Sequence, residues 1–190
     1  MVAEAVPDAK GALLNRVLDH LAAEGVGDRS LRQIAAGAGT SHRMLIYHFG
    51  TREGLLGEVV REVEDRQRAA LAGLRTGGKP PDAVARAFWR RLSDPALAPY
   101  ARLFFELHGQ SLGGRAGAAS PLGGTVEPWL ADLAELAAPG RPPEDPVRRA
   151  RARMAVAFAR GALLDLLATG EREEVDSAVE EFFAIFFSDN

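Results

Sequence analysis

Residues 30–56 read SLRQIAAGAGTSHRMLIYHFGTREGLL, and this stretch decides the fold. Ser30 and Gln33 are spaced as a capping box, in which the serine hydroxyl accepts the Gln33 amide proton and the glutamine side chain reaches back to the start of a helix. That helix ends at the GAG run, because glycine permits the left-handed backbone of a tight turn. Thr40 or Ser41 then caps a second helix. The stretch therefore predicts two short helices joined by a glycine turn.

The outer face of the second helix is not required for packing in the protein core. Helical residues are about 100° apart around the axis, so Leu45 and Phe49 point inward. The opposite side is cationic, aromatic and apolar, and it holds Arg43, Met44, Ile46 and Tyr47. In a DNA major groove, arginine can bond guanine, apolar groups can contact thymine methyls and tyrosine can reach phosphate. A small helical hairpin with merely solvated charges is the alternative interpretation.

The charge of the chain is distributed unevenly. From Arg29 to Arg52 the sequence has four arginines, two histidines and no acidic residue, so this window is positive. The whole chain has a formal net charge of −3, and residues 58–190 hold 17 basic against 20 acidic groups. Nucleic acids are bound through local positive charge rather than through the sum. The pattern favours contact with DNA at residues 29–52 and not over the acidic remainder.

Composition and hydropathy disfavour several classes of protein. There are no cysteines, which excludes disulfides and thiolate metal sites. The first ten residues lack the apolar core of a signal peptide. The most apolar stretch, Met154–Ala168, is short for a membrane span and contains Arg160 and Asp165. We therefore expect a cytoplasmic protein that does not enter a membrane.

Apolar residues recur at spacings of three and four along the chain, without long alternation of period two, which predicts an all-α fold. Glycine and proline mark the helix ends. About nine helices are predicted, near residues 8–24, 30–36, 41–48, 52–75, 82–92, 99–112, 126–138, 146–169 and 171–187. Residues 113–124 are glycine-rich and receive no predicted structure. A first domain at residues 1–56 and a larger one at residues 57–190 are expected.

The last two predicted helices indicate a homodimer. Residues 154–168 are apolar nearly all round, so the helix needs burial on both sides. One side can pack in its own domain. The other side needs a second partner, together with the apolar residues of the last helix, Phe182, Phe183, Ile185, Phe186 and Phe187. A symmetric four-helix contact with a second subunit supplies that partner, and an intrachain core is the alternative.

Three runs within residues 31–56 match a known family at the expected spacing: Leu31–Ala35, Ala38–Ser41 and Leu45–Leu56. They resemble the N-terminal domain of TetR-type transcription regulators, and the resemblance extends over residues 10–56. It implies a three-helix DNA-binding head, whose third helix enters the major groove, and a larger ligand-binding and dimerisation domain. The chain is thus expected to be a repressor released from a near-palindromic operator by a small molecule.

The resemblance also implies which residues contact double-stranded DNA. The matching positions are Arg32, Ser41, His42, Arg43, Met44, Tyr47, His48 and Arg52. Of these, Arg52 would hold a phosphate at the start of the fourth helix. His48 would contact the groove or phosphate, or pack under the fourth helix instead. The chain departs from the family pattern at Arg43, where a small residue is common, and at Ile46, where a tyrosine is common.

A ligand site is expected between the fifth and eighth helices. Aromatic and apolar residues at helical spacing are its candidate lining: Phe88, Trp89, Phe104, Phe105, His108, Trp129, Met154 and Phe158. The polar candidates beside them are Arg102, Glu106, Gln110 and Arg160. Ordinary core packing is the alternative for each aromatic residue. The sequence does not identify the ligand.

Two rival functions remain at this stage. An enzyme is disfavoured, because the four histidines form no metal-spaced pair and no glycine-rich phosphate loop follows a strand. We therefore expect no catalytic residue, no metal and no cofactor. A helical protein-interaction adaptor would use the apolar helices, but it would leave the positive residues 29–52 without a role.

Overall fold

The structure is a computed structural model that describes residues 9–113 and 126–188, and these residues form nine α-helices with no strand among them. The helices are α1 (Ala9–Glu24), α2 (Leu31–Gly37), α3 (His42–Phe49), α4 (Arg52–Arg75), α5 (Pro81–Leu92), α6 (Ala98–Leu112), α7 (Val126–Ala137), α8 (Pro146–Thr169) and α9 (Arg172–Phe187). A 3₁₀ turn at Pro95–Leu97 precedes α6. The all-α prediction is confirmed. Residues 114–124 of the predicted loop lie outside the described residues.

The caps predicted for the two short helices are present. The Ser30 hydroxyl accepts the Gln33 amide proton, and the Gln33 side chain accepts the Ser30 amide proton at 2.8 Å. Ser41, rather than Thr40, caps α3, since its hydroxyl accepts the Met44 amide proton at 3.2 Å. Gly39 takes a φ of 63°, the left-handed conformation that the turn requires.

The described residues divide into two compact units. The first contains α1–α3, α4 as far as Val63, and α6 from Arg102 onward. This division differs from the sequence-predicted boundary at residue 56, because α4 stays in the first unit for almost two turns more and α6 returns to it. The core of this unit contains the predicted apolar faces of α1 and α4: Leu13, Leu14, Val17, Leu18, Leu21, Leu55, Leu56, Val59, Val60 and Val63.

The second unit contains the remainder of α4, from Glu64, together with α5, the start of α6 and α7–α9. Its larger core cluster joins α4, α5, α7, α8 and α9 through Leu71, Val84, Trp129, Leu130, Leu133, Leu136, Ala137, Ala152, Val156 and Phe186. A second cluster joins α5, α8 and α9 through Trp89, Leu166, Val175 and Val179. Both clusters bury the inner faces of α8 and α9.

A charged group is buried in the second unit. The Glu64 carboxyl is 7% exposed, accepts the indole N–H of Trp129, and lies 2.8 Å from the Arg160 guanidinium. Burial raises the pKa of Glu64, although Trp129 and Arg160 both favour its ionised form. Arg160, a polar candidate for the ligand site, therefore forms an ion pair between α8 and α4.

The N-terminus of α8 provides a test of stability against pH. The Asp145 carboxylate accepts the Val147 amide proton at 2.8 Å, and this bond, followed by Arg141, lowers the pKa of Asp145. A lowered folded-state pKa means that the stabilisation is present above the ordinary aspartate pKa and is lost as the pH falls through the lowered value. We expect Asp145→Ala to lower the Tm at pH 7, with the difference from wild type vanishing in strong acid.

Asp145→Asn is the matched control, because asparagine caps a helix as well as aspartate does and has no proton to gain. It should keep the Tm near that of wild type at pH 7. Equal melting temperatures for wild type and Asp145→Ala at pH 7 would contradict the role of the cap.

Candidate nucleic-acid interface

The outer face of α3 is open to solvent, as the sequence predicts. Leu45 and Phe49 are buried on the inner side. Tyr47 is 79% exposed, and Arg43, Met44 and Ile46 are exposed beside it. Burying an aromatic ring and two long apolar side chains is favourable, so a partner that covers this face gains binding free energy. The face is consistent with a surface that meets a partner and is not part of the core.

Further candidate DNA-contact residues lie around this face. Arg32 is exposed on the first turn of α2, and Ser41 is exposed at the N-cap of α3. His42 is half-buried. His48 is half-buried as well, and its ring lies edge-on to the ring of Tyr47 with a centroid distance of 4.9 Å. The ring contact does not distinguish between the two roles expected for His48, contact with DNA and packing under α4. Both roles stay predictions.

Arg52 has an internal role that the sequence analysis missed. Its Nε donates to the Arg29 carbonyl oxygen at 2.7 Å, and its Nη2 donates to the Gly27 carbonyl oxygen at 3.1 Å. The side chain is half-buried and holds the segment between α1 and α2. These two bonds occupy Nε and Nη2, so the expected phosphate contact stays a prediction. No local pattern signals this role, because the bonded residues are more than 20 positions apart.

The junction between α3 and α4 depends on Gly54, another residue that the sequence analysis did not single out. The Gly54 amide donates to the Thr51 hydroxyl at 3.0 Å, which caps α4. A Cβ at Gly54 would lie 2.4 Å from the backbone carbonyl oxygen of Phe49, a contact that only a backbone shift can relieve. The close approach therefore requires glycine, and it fixes the direction in which α4 leaves α3.

We expect Gly54→Ala to lower the free energy of unfolding by about 1–3 kcal/mol, the usual cost of forcing an extra carbon into a packed position. Gly73→Ala is the matched control in the same helix, since a Cβ there meets nothing within 4 Å. That control should be neutral or gain up to about 1 kcal/mol from better helix propensity. Urea unfolding measures both, and a Gly54→Ala protein as stable as the control would contradict the steric argument.

The candidate ligand-site residues fall into two groups. Phe104, Phe105 and His108 lie on α6 within the first unit, where the Phe104 and His108 rings are 3.9 Å apart. The remaining five lie in the second unit: Phe88, Trp89, Trp129, Met154 and Phe158. Polar bonds and ring contacts hold several of these residues.

In the second unit, most of the candidate residues make ring contacts or a hydrogen bond. The rings of Phe88 and Trp129 are 5.8 Å apart, and Phe158 stacks on Phe182 at 3.7 Å. Trp89 Nε1 donates to Asp176 at 2.7 Å. Met154 is 55% exposed, which suits the outer face of α8 better than the wall of a cavity. The assignment of these residues to a ligand site stays a prediction.

Residues 9–113 and 126–188 contain neither a candidate metal site nor a candidate membrane span. In these ranges no group of three or more histidine, aspartate or glutamate side chains has the arrangement of a metal site. None of their helices combines the length and the apolar character that crossing a membrane requires.

Comparison with known proteins places the N-terminal helices in a family. Residues 18–59, from α1 into α4, match the family of bacterial regulatory proteins of the tetR type. These residues include the capping box, the glycine turn, the exposed face of α3 and the Gly54 junction. No curated protein matches the chain.

Solved structures match almost the whole chain. A TetR-family transcriptional regulator from Rhodococcus sp. is 23% identical, with a TM-score of 0.77 over 94% of this chain and 98% of that one. LfrR from Mycobacterium smegmatis, solved with proflavine, is 20% identical, with a TM-score of 0.60 over 94% of each chain. FadR from Thermus thermophilus, solved with lauroyl-CoA, is 16% identical, with a TM-score of 0.67 over 93% of this chain and 92% of that one. Residues 18–59 are thus similar to the N-terminal domain of bacterial tetR-family regulatory proteins, and the chain has the fold of solved TetR-family regulators.

Proposed function

We propose that the protein is a dimeric transcriptional repressor of the TetR type, that α3 holds it on a near-palindromic operator and that a small molecule releases it. The observation that carries the proposal is the exposed outer face of α3, where Arg43 and Tyr47 lie beside two exposed apolar side chains. A major groove supplies partners for every group on that face, namely guanine for arginine, phosphate for tyrosine and thymine methyls for the apolar residues.

The positive charge around α3 supports DNA as the partner. Arg32 and Arg43 are exposed, and the window from Arg29 to Arg52 contains no carboxylate to compete with phosphate. Each phosphate that the protein neutralises releases counterions, so the affinity must fall steeply with salt. A helical adaptor or an enzyme with the same fold has no reason to show this dependence on duplex DNA.

A gel-shift titration of duplex DNA at two salt concentrations tests the proposal. Duplexes recovered by the protein from its source genome are the probes. We expect tight binding at about 50 mM salt and a loss of roughly 10³-fold or more at 200 mM, as for a protein with six or more phosphate contacts. Equal, weak binding at both salt concentrations would contradict a DNA-binding function.

The outer face of α8 supports a second subunit. Exposed residues recur along it at alternating spacings of three and four: Met154, Ala157, Gly161, Leu164 and Ala168, here called the α8 stripe. Such spacing keeps one face turned toward a neighbouring helix over several turns. Met154 is 55% exposed and Leu164 is 50% exposed, although both are large and apolar. These exposures speak against the intrachain core that the sequence left open.

Gly161 of α8 and Ile185 of α9 also support a second subunit. A Cβ at Gly161 meets nothing within 4 Å among residues 9–113 and 126–188, so no helix crossing among these described residues explains this glycine. A helix of a second subunit packed on the α8 stripe would pass closest to the backbone at this position. Ile185 of α9 is 65% exposed and adds a further apolar contact. Two-fold pairing through α8 and α9 would set the two α3 helices about one DNA turn apart.

Release by a small molecule is proposed from the fold. LfrR and FadR, which share it, were solved with proflavine and lauroyl-CoA. A ligand can shift the operator equilibrium only by its preference for the arrangement that does not bind DNA. Typical coupling of about 1–3 kcal/mol corresponds to roughly 5- to 150-fold in operator affinity. Helix α4 runs without interruption from Arg52 to Arg75 and is the natural element to carry the change.

A further inference from the structure

The segment between α1 and α2, residues 25–30 and here called the α1–α2 loop, is held by side chains that lie far away in sequence. Gly25 and Gly27 have φ values of 72° and 49°, so the backbone leaves α1 in the left-handed conformation. Peptide groups beyond the end of a helix have no partner within that helix. The loop therefore needs donors and acceptors from elsewhere.

Glu106 of α6 supplies the acceptors. Its carboxylate takes the Val26 amide proton at 3.0 Å and the Gly27 amide proton at 2.7 Å. Hydrogen bonds between peptide N–H groups and an ionised carboxylate are shorter and stronger than those between neutral groups. Gln110 donates to the same carboxylate at 3.2 Å from one turn further along α6. One side chain thus satisfies two consecutive peptide groups about 80 residues earlier in the chain.

Arg52 of α4 supplies the donors for the same loop, through its bonds to the carbonyl oxygens of Gly27 and Arg29. Both backbone polar groups of Gly27 are therefore bonded, the N–H by the Glu106 carboxylate and the carbonyl oxygen by the Arg52 guanidinium. The loop ends at Ser30, the cap of α2. Its conformation fixes where α2 begins, and α2 in turn supports α3.

We propose that Glu106 is a positioning residue for DNA binding, because its carboxylate holds the α1–α2 loop in the arrangement that presents α2 and α3 to the operator. Glu106 lies outside residues 18–59, the segment matched to the family. It nevertheless lies in the same compact unit as α1–α3. The inference rests on the proposed DNA-binding function.

A charge effect and a positioning effect at Glu106 predict opposite changes in operator affinity. Removing a negative charge from a DNA-binding unit strengthens binding when only the charge matters, because phosphates repel carboxylates. Loss of positioning weakens binding. Glu106→Gln removes the negative charge and also disturbs the positioning of the loop. The proposal requires the loss of positioning to outweigh the gain from the removed charge, so that binding is weaker overall. The salt slope should stay as in wild type, because no phosphate contact is removed.

The experiment uses the full-length protein and a duplex that wild type recovers from its source genome. Operator Kd is measured well below the Tm, and amide hydrogen exchange is followed at Val26 and Gly27. For Glu106→Gln we expect roughly tenfold weaker binding, an unchanged salt slope and faster exchange at both amides. Glu144→Gln, an exposed site between α7 and α8 with the same change of charge, is the control and should bind no more weakly than wild type.

Binding by Glu106→Gln as tight as, or tighter than, that of wild type overturns the proposal, as does unchanged exchange at both amides. Should Glu106→Gln fail to fold, Glu106→Asp keeps the charge but shortens the reach by one methylene, and it is judged by the same two measurements. If the wild-type protein binds no duplex, the proposed DNA-binding function and the positioning role of Glu106 are both wrong. If wild type binds the duplex and Glu106→Gln has the same Kd and the same amide exchange, only the positioning role of Glu106 is wrong.

Discussion

Replacing Arg43 or Tyr47 by alanine should strongly weaken operator binding and leave the dimer intact. Both side chains are exposed on α3 and Leu45 and Phe49 form its buried side, so the fold does not depend on them. A well-placed arginine–guanine pair contributes about 1–3 kcal/mol, and a two-fold dimer makes each contact twice. Arg43→Ala should therefore raise the operator Kd by a factor of roughly 30 or more.

Arg90→Ala is the control for this measurement, because Arg90 is exposed on α5, away from α3 in the chain. It should leave the operator Kd within a factor of a few. Tyr47→Phe separates the hydroxyl from the ring, and a loss confined to the hydroxyl would assign Tyr47 to phosphate. If Arg43→Ala or Tyr47→Ala dissociated the dimer or left the Kd unchanged, the assignment of this face to DNA would be wrong.

A charge placed on the α8 stripe should produce the second large effect. In a dimer paired through the α8 stripe, as proposed, Leu164→Glu would put one carboxylate from each subunit into an apolar contact. Burial of an unpaired charge costs several kcal/mol, which exceeds what a dimer of ordinary affinity tolerates. We expect a monomer in analytical ultracentrifugation at micromolar concentration, and operator binding should fail with it because both half-sites must be held together.

Leu112→Glu is the matched control for Leu164→Glu. Leu112 is the last residue of α6 and is exposed as well, so the substitution makes the same change of side chain on a different helix. This control should remain a dimer and bind the operator. A Leu164→Glu protein that sediments as a dimer would exclude the α8 stripe from the interface.

The sequence predicts those parts of the fold that depend on neighbours along the chain. Helix periodicity and the caps at Ser30 and Asp145 place the nine helices to within a few residues. These signals work because a helix end is satisfied by side chains two or three positions away. The inward and outward faces of α3 follow from the same local geometry. The part of the candidate site that is a helix face is therefore predictable.

The rest of the site depends on contacts between distant residues, which periodicity does not encode. The bonds of the Glu106 carboxylate to the α1–α2 loop are one case, because the bonded residues are about 80 positions apart. The bonds of Arg52 to the carbonyl oxygens of Gly27 and Arg29 are another, and the expected phosphate contact of Arg52 stays a prediction beside them. Gly54 gave no signal, because only the folded backbone shows how close Phe49 lies. Each of these cases requires the packing of α4 or α6 to be known.

A footprint on a duplex recovered from the source genome tests the central claim most directly, namely that two copies of α3 read the major groove. Methylation protection of guanine N7 by the wild-type protein should show two patches about 10 base pairs apart, related by the two-fold axis of the operator. In Arg43→Ala, protection at the guanines nearest each patch centre should disappear. Protection spread evenly along the duplex, or protection identical in wild type and Arg43→Ala, would contradict the account.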